Sequence, residues 1–337
     1  MIGRAVALIL ALALLAAPVA AEAQQAGKVF RVGLIVVGPA PVSVVLGPDP
    51  ANPANPPLRA FLHGLRALGY VEGKNLAMEW RSGEGKFERF PDIVRELISL
   101  KVDVIVTTTN PVTQVAMNVT RTVPIVMATS VAPEREGLVQ SLARPGGNVT
   151  GLTIEEGPEI VGKRLELLKQ IVPRMSRVAF LGSKTEWSGG WDRTAEAAAR
   201  ALGITLLFAE HAPTQYADAF ALIARERPDA LLVAQSSVNF GNRRPIADFA
   251  AKSRLPAMYP NGLFAEAGGL IAYGVSLTDL FRRAAACVDR ILRGANPADL
   301  PVEQPTRFEL VINMRTAKAL GLTIPPSLLL RADQLIE

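Results

Sequence analysis

Short runs rich in β-branched residues alternate along this chain with longer stretches whose apolar positions recur every three or four residues. Arg31–Gly38 (RVGLIVVG) reads as a buried strand, and Leu58, Phe61, Leu62, Leu65 and Leu68 then recur at helical spacing. Asn75–Ser82 predicts a second strand and Pro91–Leu100 a second helix. Asp103–Thr109 (DVIVTTT) predicts a third strand, followed by a helix near Val112–Val119, and Pro124–Ser130 (PIVMATS) a fourth strand. A turn cluster at Arg144-Pro145-Gly146-Gly147-Asn148 interrupts the rhythm, which then restarts. Strands are expected at Val149–Ile154, Arg177–Ser183, Thr205–Glu210, Ala230–Gln235, Pro256–Pro260 and Leu270–Val275. Helices are expected near Ile160–Val172, Asp192–Leu202, Gln215–Arg225, Arg244–Ser253 and Thr278–Leu292, the last capped by Gly294.

A β-α-β-α rhythm of this kind implies parallel sheets covered on both faces. Two α/β runs of similar size, without a residue-level repeat, imply two open doubly wound sheets with a cleft between them. In such sheets ligands bind beyond the C-terminal ends of the strands. That rule points to Thr107, Thr108, Thr109 and Asn110, with Thr129 and Ser130 beside them. On the other side it points to Trp187, Ser236, Asn239, Tyr259 and Asn261, with Tyr273 reaching in from a strand end. Hydroxyls and amides dominate this set and suit hydrogen bonds to a small polar ligand, although each can also simply cap the helix that follows. Trp187 and Trp191 flank Ser188-Gly189-Gly190 in a strand-to-helix loop and either line a pocket or pack on that loop.

The N-terminus carries a signal of a different kind. Arg4, the apolar run Ala5–Ala17, the break at Pro18 and the small residues of Ala21-Glu22-Ala23 form the pattern of a secretory signal peptide. The run is too short for a membrane-spanning helix. Cleavage is expected near Ala23, with release of a periplasmic protein. No Cys follows the run to accept a lipid, so a lipoprotein is not expected. The net charge of +5 is mild for 337 residues and no block of five basic residues occurs, which disfavours nucleic acid as a partner. The single Cys287 rules out an intrachain disulfide and a Cys-based metal site. It falls on the apolar face of the helix around Leu280, Ala284, Val288 and Ile291, where a buried, inert thiol is expected.

No catalytic set emerges. His63 and His211 are far apart in sequence and belong to no HExxH pattern; no G-x-S-x-G elbow and no complete phosphate loop is present. Neither catalytic residues, nor a metal, nor a cofactor is expected.

Five segments then carry a resemblance: Gly64–Asn75 (GLRALGYVEGKN), Leu142–Gly151 (LARPGGNVTG), Glu266–Leu270 (EAGGL), Leu300–Asn313 (LPVEQPTRFELVIN) and Ala317–Asp333 (AKALGLTIPPSLLLRAD). In this order and spacing they resemble the ABC transporter substrate-binding protein family that includes bacterial tryptophan- and tyrosine-binding receptors. The resemblance runs from about Lys28 to Glu337. It implies a type I periplasmic binding fold: two lobes joined by three crossings, near Gly151, Gly274 and Phe308. Lobe 1 is then 28–151 plus about 275–307, and lobe 2 is 152–274 plus about 308–337. It further implies a monomer that binds a small molecule, closes about its hinge and docks on the permease subunits of an ABC importer. Alternatives are a ligand sensor for a membrane kinase or chemoreceptor, and an exported enzyme of the same shape. Many members of the family carry an Asp-Pro pair after the fourth strand, where this chain reads Thr129-Ser130-Val131-Ala132-Pro133, and amino-acid-binding members often have an Asp after the strand equivalent to Ala230–Gln235, where it reads Ser236-Ser237-Val238-Asn239. That favours an aromatic or other small carboxylic acid over an amino acid, unless Glu186, Asp192 or Glu266 supplies the ammonium partner. The Pro39–Pro57 stretch is expected to be a surface loop, with a flap over the cleft as the alternative.

Overall fold

The computed structural model describes residues 28–337 except 38–40, 51, 155, 158, 185–186, 188–191 and 213–214. The expected signal peptide, Glu186 and Trp191 lie outside the described residues. The first lobe is laid down as β1 (Phe30–Val36), α1 (Val42–Leu46), α2 (Pro56–Ala67), β2 (Leu76–Ser82), α3 (Phe90–Ser99), β3 (Val104–Thr107), α4 (Asn110–Val119), β4 (Ile125–Met127) and β5 (Val149–Gly151). The five strands are parallel, in the order β2-β1-β3-β4-β5. Val32, Leu34 and Val36 of β1 point into one apolar cluster and Ile35 into another, so the sheet is buried on both faces. Asn55 caps α2 by accepting the Leu58 N–H at 3.2 Å, and Pro56 and Pro57 occupy its first turn.

The second lobe follows as α5 (Glu159–Ile171), β6 (Arg177–Gly182), α6 (Asp192–Ala201), β7 (Thr205–Glu210), α7 (Ala217–Glu226), β8 (Ala230–Val233), α8 (Ser237–Gly241), α9 (Arg243–Lys252), β9 (Ala257–Tyr259), α10 (Gly262–Glu266) and β10 (Ile271–Val275). Then α11 (Leu277–Leu292) departs, and β11 (Phe308–Asn313), α12 (Met314–Leu320), α13 (Pro326–Leu329) and β12 (Gln334–Ile336) complete the chain. The second sheet has the order β12-β11-β10-β9-β8-β6-β7. It is not wholly parallel as the sequence implies: β11 pairs antiparallel to β10. The reason is topological. β10 leads out of the second lobe and β11 re-enters it beside β10.

Between these two strands the chain spends α11 in the first lobe. Ser276 caps α11, and its apolar face (Leu280, Phe281, Ala284, Cys287, Val288) joins the cluster formed by α2 and β1. The two helices pack closely because α2 offers Gly64; a Cβ there would sit 2.8 Å from Ala285 Cβ and 3.1 Å from the Arg282 carbonyl. Cys287 is buried in this interface, and burial pushes its thiol up to about 11. Main-chain bonds tie the crossings together. Glu303 N–H donates to the Gly151 carbonyl at 2.9 Å, Thr153 N–H to Glu303 at 3.0 Å, and Ser276 N–H to Arg307 at 3.0 Å.

Helices fall within about two residues of expectation, whereas several strands end earlier. The run through Thr109 stops pairing at Thr107 and that through Ser130 at Met127, while that through Ile154 leaves its strand at Gly151 with one further bridge from Leu152 to Glu303. The Pro39–Pro57 stretch is not wholly a loop: it contains α1, whose Leu46 is buried in the first-lobe core.

Candidate functional site

In the first lobe the polar strand ends turn inward. Thr113 donates to the Thr109 carbonyl at 3.0 Å, and the Thr107 hydroxyl meets Thr113 Oγ1 at 2.7 Å. Thr129 donates to the Thr108 carbonyl at 2.7 Å and Ser130 to the Leu152 carbonyl at 2.8 Å. Asn110 grips the backbone of Val131 from both ends of its amide, donating to the carbonyl at 2.6 Å and accepting the N–H at 3.0 Å. Thr108 donates to Ile35 at 3.3 Å, and the Thr109 side chain makes no capping bond although it precedes α4. Four of these six side chains, those of Thr108, Asn110, Thr129 and Ser130, therefore tie the protein's own strand ends together, and Thr107 ties β3 to α4. Thr108, Thr109 and Asn110 remain half-buried.

The second lobe engages several of its nominated residues in the same way. Ser236 caps α8 by accepting the Asn239 N–H at 3.1 Å. Asn239 is fully buried; it accepts from Tyr216 at 2.7 Å and donates to the Ala234 carbonyl at 3.0 Å. Trp187 stacks on Phe208 with centroids 4.9 Å apart and tilts on Phe180 at 5.0 Å, on the second-lobe core. Tyr273 is half-buried, its ring 6.1 Å from Phe308.

A different class of group remains. Among the described residues, the buried side-chain atoms without a hydrogen-bond partner are His211 Nε2, the Tyr259 hydroxyl and both amide atoms of Asn261. All three residues stand at or just beyond the C-terminal ends of second-lobe strands, β7 for His211 and β9 for the other two. Leaving such a group unmet costs about 1–3 kcal/mol. Tyr259 is accounted for by packing: its ring stacks on Phe264 among the apolar residues under α9 and α10. Burial raises its hydroxyl pKa, and Asp248 adds to the rise. Asn261 has no such explanation. It precedes α10, where an Asn commonly caps, yet its side chain makes no cap bond.

Immediately after Asn261 the chain borders a cavity of about 220 Å³ that bridges the lobes. Pro57 and Arg59 of α2 and Thr278 of α11 line it from the first lobe; Gly262 and Glu266 of α10 and Glu309 of β11 line it from the second. Burial pushes the carboxyl of Glu309 up, Asp333 and Glu266 add to the rise, and a Ser276 hydrogen bond and Arg307 oppose it. Burial also pushes Glu266 up, against Arg243 and Arg59. One wall thus carries two carboxylates that are costly to keep charged without a cation, and the facing wall carries a guanidinium.

Of the three residues that sequence offers as ammonium partners, Glu266 lines this cavity, while Glu186 and the Asp192 side chain lie outside what is described. Arg59 and Glu309, which line the cavity, are not legible as site residues from the sequence. Arg59 is one of many helix arginines. Glu309 sits in a strand whose pairing depends on the return crossing. His211 does not reach the cavity; its ring stacks on Tyr216 with centroids 4.5 Å apart. Among the described residues no group of three His, Cys, Asp or Glu side chains is arranged to hold a metal ion, and no helix is long and apolar enough to cross a membrane.

Comparison with known proteins adds the following. The family model described as "ABC transporter substrate binding protein" matches residues 57–336. A tyrosine-binding protein of Clostridioides difficile is 24% identical over 266 residues, covering 78% of this chain and 76% of that protein. A conserved domain protein from Vibrio cholerae superposes with a TM-score of 0.75 at 26% identity, covering 91% of this chain and 100% of that one. A domain from Streptococcus pneumoniae in complex with L-Trp gives 0.75 at 24% identity, covering 91% and 99%. The fold shared with these structures is the two-lobed type I periplasmic binding fold.

Proposed function

The chain belongs to the ABC transporter substrate-binding protein family, and from that premise we propose that it is an exported, monomeric receptor that carries a small amino acid-like solute to the permease of an ABC importer. The observation that carries the ligand class is the interlobe cavity, with Arg59 on one wall and Glu266 and Glu309 on the other. A guanidinium suits a carboxylate, and two part-buried carboxylates suit an ammonium. This shifts the reading away from a simple aromatic acid, which the uncharged stretches Thr129–Pro133 and Ser236–Asn239 favour in the sequence. The ligands named for two relatives, tyrosine and L-Trp, lie in the same direction.

Asn261 belongs to this site as the amide that a ligand would satisfy, with Thr108, Thr109, Asn110 and Tyr273 as half-buried neighbours on the crevice side of the strands. The mechanism is hinge closure: a ligand touching both lobes shifts an open–closed equilibrium by its preference for the closed form. Lobe boundaries at 28–151 plus 275–307 and 152–274 plus 308–337 form part of this reading, supported by the membership of the two sheets and the seating of α11 on α2. Export with cleavage near Ala23 is part of it too, so protein from the native host should begin near Gln24.

A thermal-shift panel tests the ligand class. L-tryptophan, L-tyrosine and L-phenylalanine are compared with their deaminated acids. The amino acids should stabilise the protein, by about 2.7 kcal/mol at a hundredfold excess over Kd, and the deaminated acids should not. Equal stabilisation by both sets would return the ligand to the carboxylic acid class.

A further inference from the structure

Glu156 and Arg164 form an ion pair of 2.6 Å in which both side chains are only 2% exposed. Arg164 also donates from Nε to the Tyr273 carbonyl at 2.7 Å and from Nη2 to the Pro260 carbonyl at 3.1 Å. The second carboxylate oxygen of Glu156 accepts the Val275 N–H at 3.1 Å. Burial pushes the Glu156 carboxyl up, and Arg164 and the Val275 N–H oppose it. Four segments meet at this pair: the first crossing through Glu156, helix α5 through Arg164, the end of β9 through Pro260, and the second crossing through Tyr273 and Val275.

The backbone is shaped around the pair. A Cβ on Gly274 would lie 1.7 Å from the Pro260 carbonyl, 2.8 Å from Glu156 Oε1 and 2.9 Å from Arg164 Nη2. Only glycine lets β10 lie this close. Main-chain hydrogen bonds join the first crossing to the third, at Gly151 and Glu303, and the second to the third, at Ser276 and Arg307. The first and second are joined through this pair.

Stability alone is a poor reason for such an arrangement, because apolar side chains of similar volume often serve as well as a buried ion pair. What the pair adds is direction. A planar guanidinium fixes two carbonyls on two adjacent strand ends relative to each other. One of those carbonyls belongs to Pro260, the residue before the unmet amide of Asn261.

We propose that Glu156 and Arg164 are positioning residues for the ligand site: they hold the end of β9 that presents Asn261 in fixed register with the first and second crossings, so that ligand contact and hinge angle are mechanically coupled. This rests on the reading of the interlobe crevice as the ligand site. Neither residue touches the ligand. Each acts through backbone carbonyls and one backbone N–H.

The test uses the full chain with one nitroxide on each lobe, at Glu88→Cys and Lys252→Cys, both exposed positions. Interlobe distance distributions by pulsed electron resonance are compared for the parent, Glu156→Gln and Arg164→Lys, and L-tryptophan affinity is measured for the same proteins. In both variants the distribution should broaden and affinity should fall by about tenfold or more. Lysine should not rescue, since one ammonium cannot span both carbonyls in the guanidinium plane. Unchanged distributions in folded variants overturn the proposal, even if their melting temperatures fall. Asn261→Ala serves as the separate control: if it leaves L-tryptophan binding intact, the ligand reading fails while the distance measurement still judges the hinge role. Should both variants fail to fold, amide exchange in the unaltered protein decides. Val275 should exchange as slowly as the buried strand residues, and exchange at loop rates overturns the proposal.

Discussion

The first five strands of each lobe follow the same order, β2-β1-β3-β4-β5 in one and β7-β6-β8-β9-β10 in the other, and share local devices. Asp103, just before β3, accepts the Arg31 N–H at 2.8 Å at the mouth of β1. Asp229, just before β8, accepts the N–H groups of Ser176 and Arg177 at 2.8 and 2.9 Å at the mouth of β6. The fifth strand of each lobe carries a glycine against the end of the fourth. A Cβ at Gly151 would meet the Met127 carbonyl at 2.2 Å, as one at Gly274 would meet Pro260. The lobes part company in how their polar strand ends are finished. In the first, Thr108, Asn110, Thr129 and Ser130 commit their hydrogen bonds to neighbouring strand ends, and Thr107 bonds Thr113 of α4. In the second, Asn261 is left with none, and β11 adds Glu309 to the cavity wall. A shared plan therefore supplies the frame, and the proposed ligand site draws on the departures from it.

The paired glycines should carry the largest effects. Gly151→Ala and Gly274→Ala should each cost about 3 kcal/mol of stability, because backbone carbonyls cannot move aside as side chains do. Gly151 also has φ of 134°, which an alanine tolerates poorly. Urea unfolding measures both. Tolerance of either change within about 0.5 kcal/mol, the range of a neutral surface substitution, would show that the two crossings are not built alike.

A swap of roles between strand ends comes next. Asn261→Ala should weaken ligand binding by about 1–3 kcal/mol while leaving stability equal or slightly raised, since an unmet buried amide is removed. Thr129→Val should do the reverse, costing about 1 kcal/mol of stability with little effect on affinity. Calorimetry on the two proteins, read for both quantities, separates them; matched behaviour would erase the contrast.

Proton linkage sharpens the second-lobe wall. Glu266 and Glu309 titrate above the ordinary carboxylate range, and an ammonium ligand needs them ionised. Amino acid affinity should therefore fall as pH is lowered through their raised values, beginning above the usual 4.5. Glu309→Gln should flatten that profile. Titration calorimetry between pH 7 and 5 checks both, and a flat profile in the parent would remove these carboxylates from the site.

The smallest effect should be the most symmetric. Asp103→Asn and Asp229→Asn should each cost about 1 kcal/mol through weakened bonds to a strand's first N–H groups. Bonds from Ser176 and Arg177 hold the Asp229 carboxyl below its ordinary 3.8. Because the folded value lies below the unfolded one, its contribution is present above pH 3.8 and is lost as pH falls through the lower folded value. Acid unfolding of the two variants, compared with the parent, measures this.

Periodicity made most of the frame legible. The fold class, ten of the strands and the long helices follow from apolar spacing alone, because tertiary packing here agrees with local pattern. The strand overruns at Thr108–Thr109 and Ala128–Ser130 have one physical source: apolar and β-branched character continues past the last ladder bond. β11 was not legible as a strand because its pairing depends on a chain that leaves the lobe and returns. The polar strand ends were legible as positions but not as roles. Sequence cannot tell a threonine that donates to the adjacent carbonyl from one that faces the crevice. Asn261 shows the converse, a strand-end amide whose significance lies in the partner it lacks.

The seating of α11 on α2 has a consequence for the order in which the chain can become a protein. A polypeptide arriving N-terminus first has all five strands of its first sheet by residue 151, yet one face of α2 stays bare until residues 277–292 arrive. The second sheet is likewise unfinished until β11 and β12. Neither lobe can seal its core from its own first stretch, so the two should mature together and late. The contacts that close the first lobe are among the most distant in sequence, and such contacts form slowly. A chain truncated before Leu277 should therefore present the apolar stripe of α2 to solvent, a surface prone to association until the missing helix is supplied.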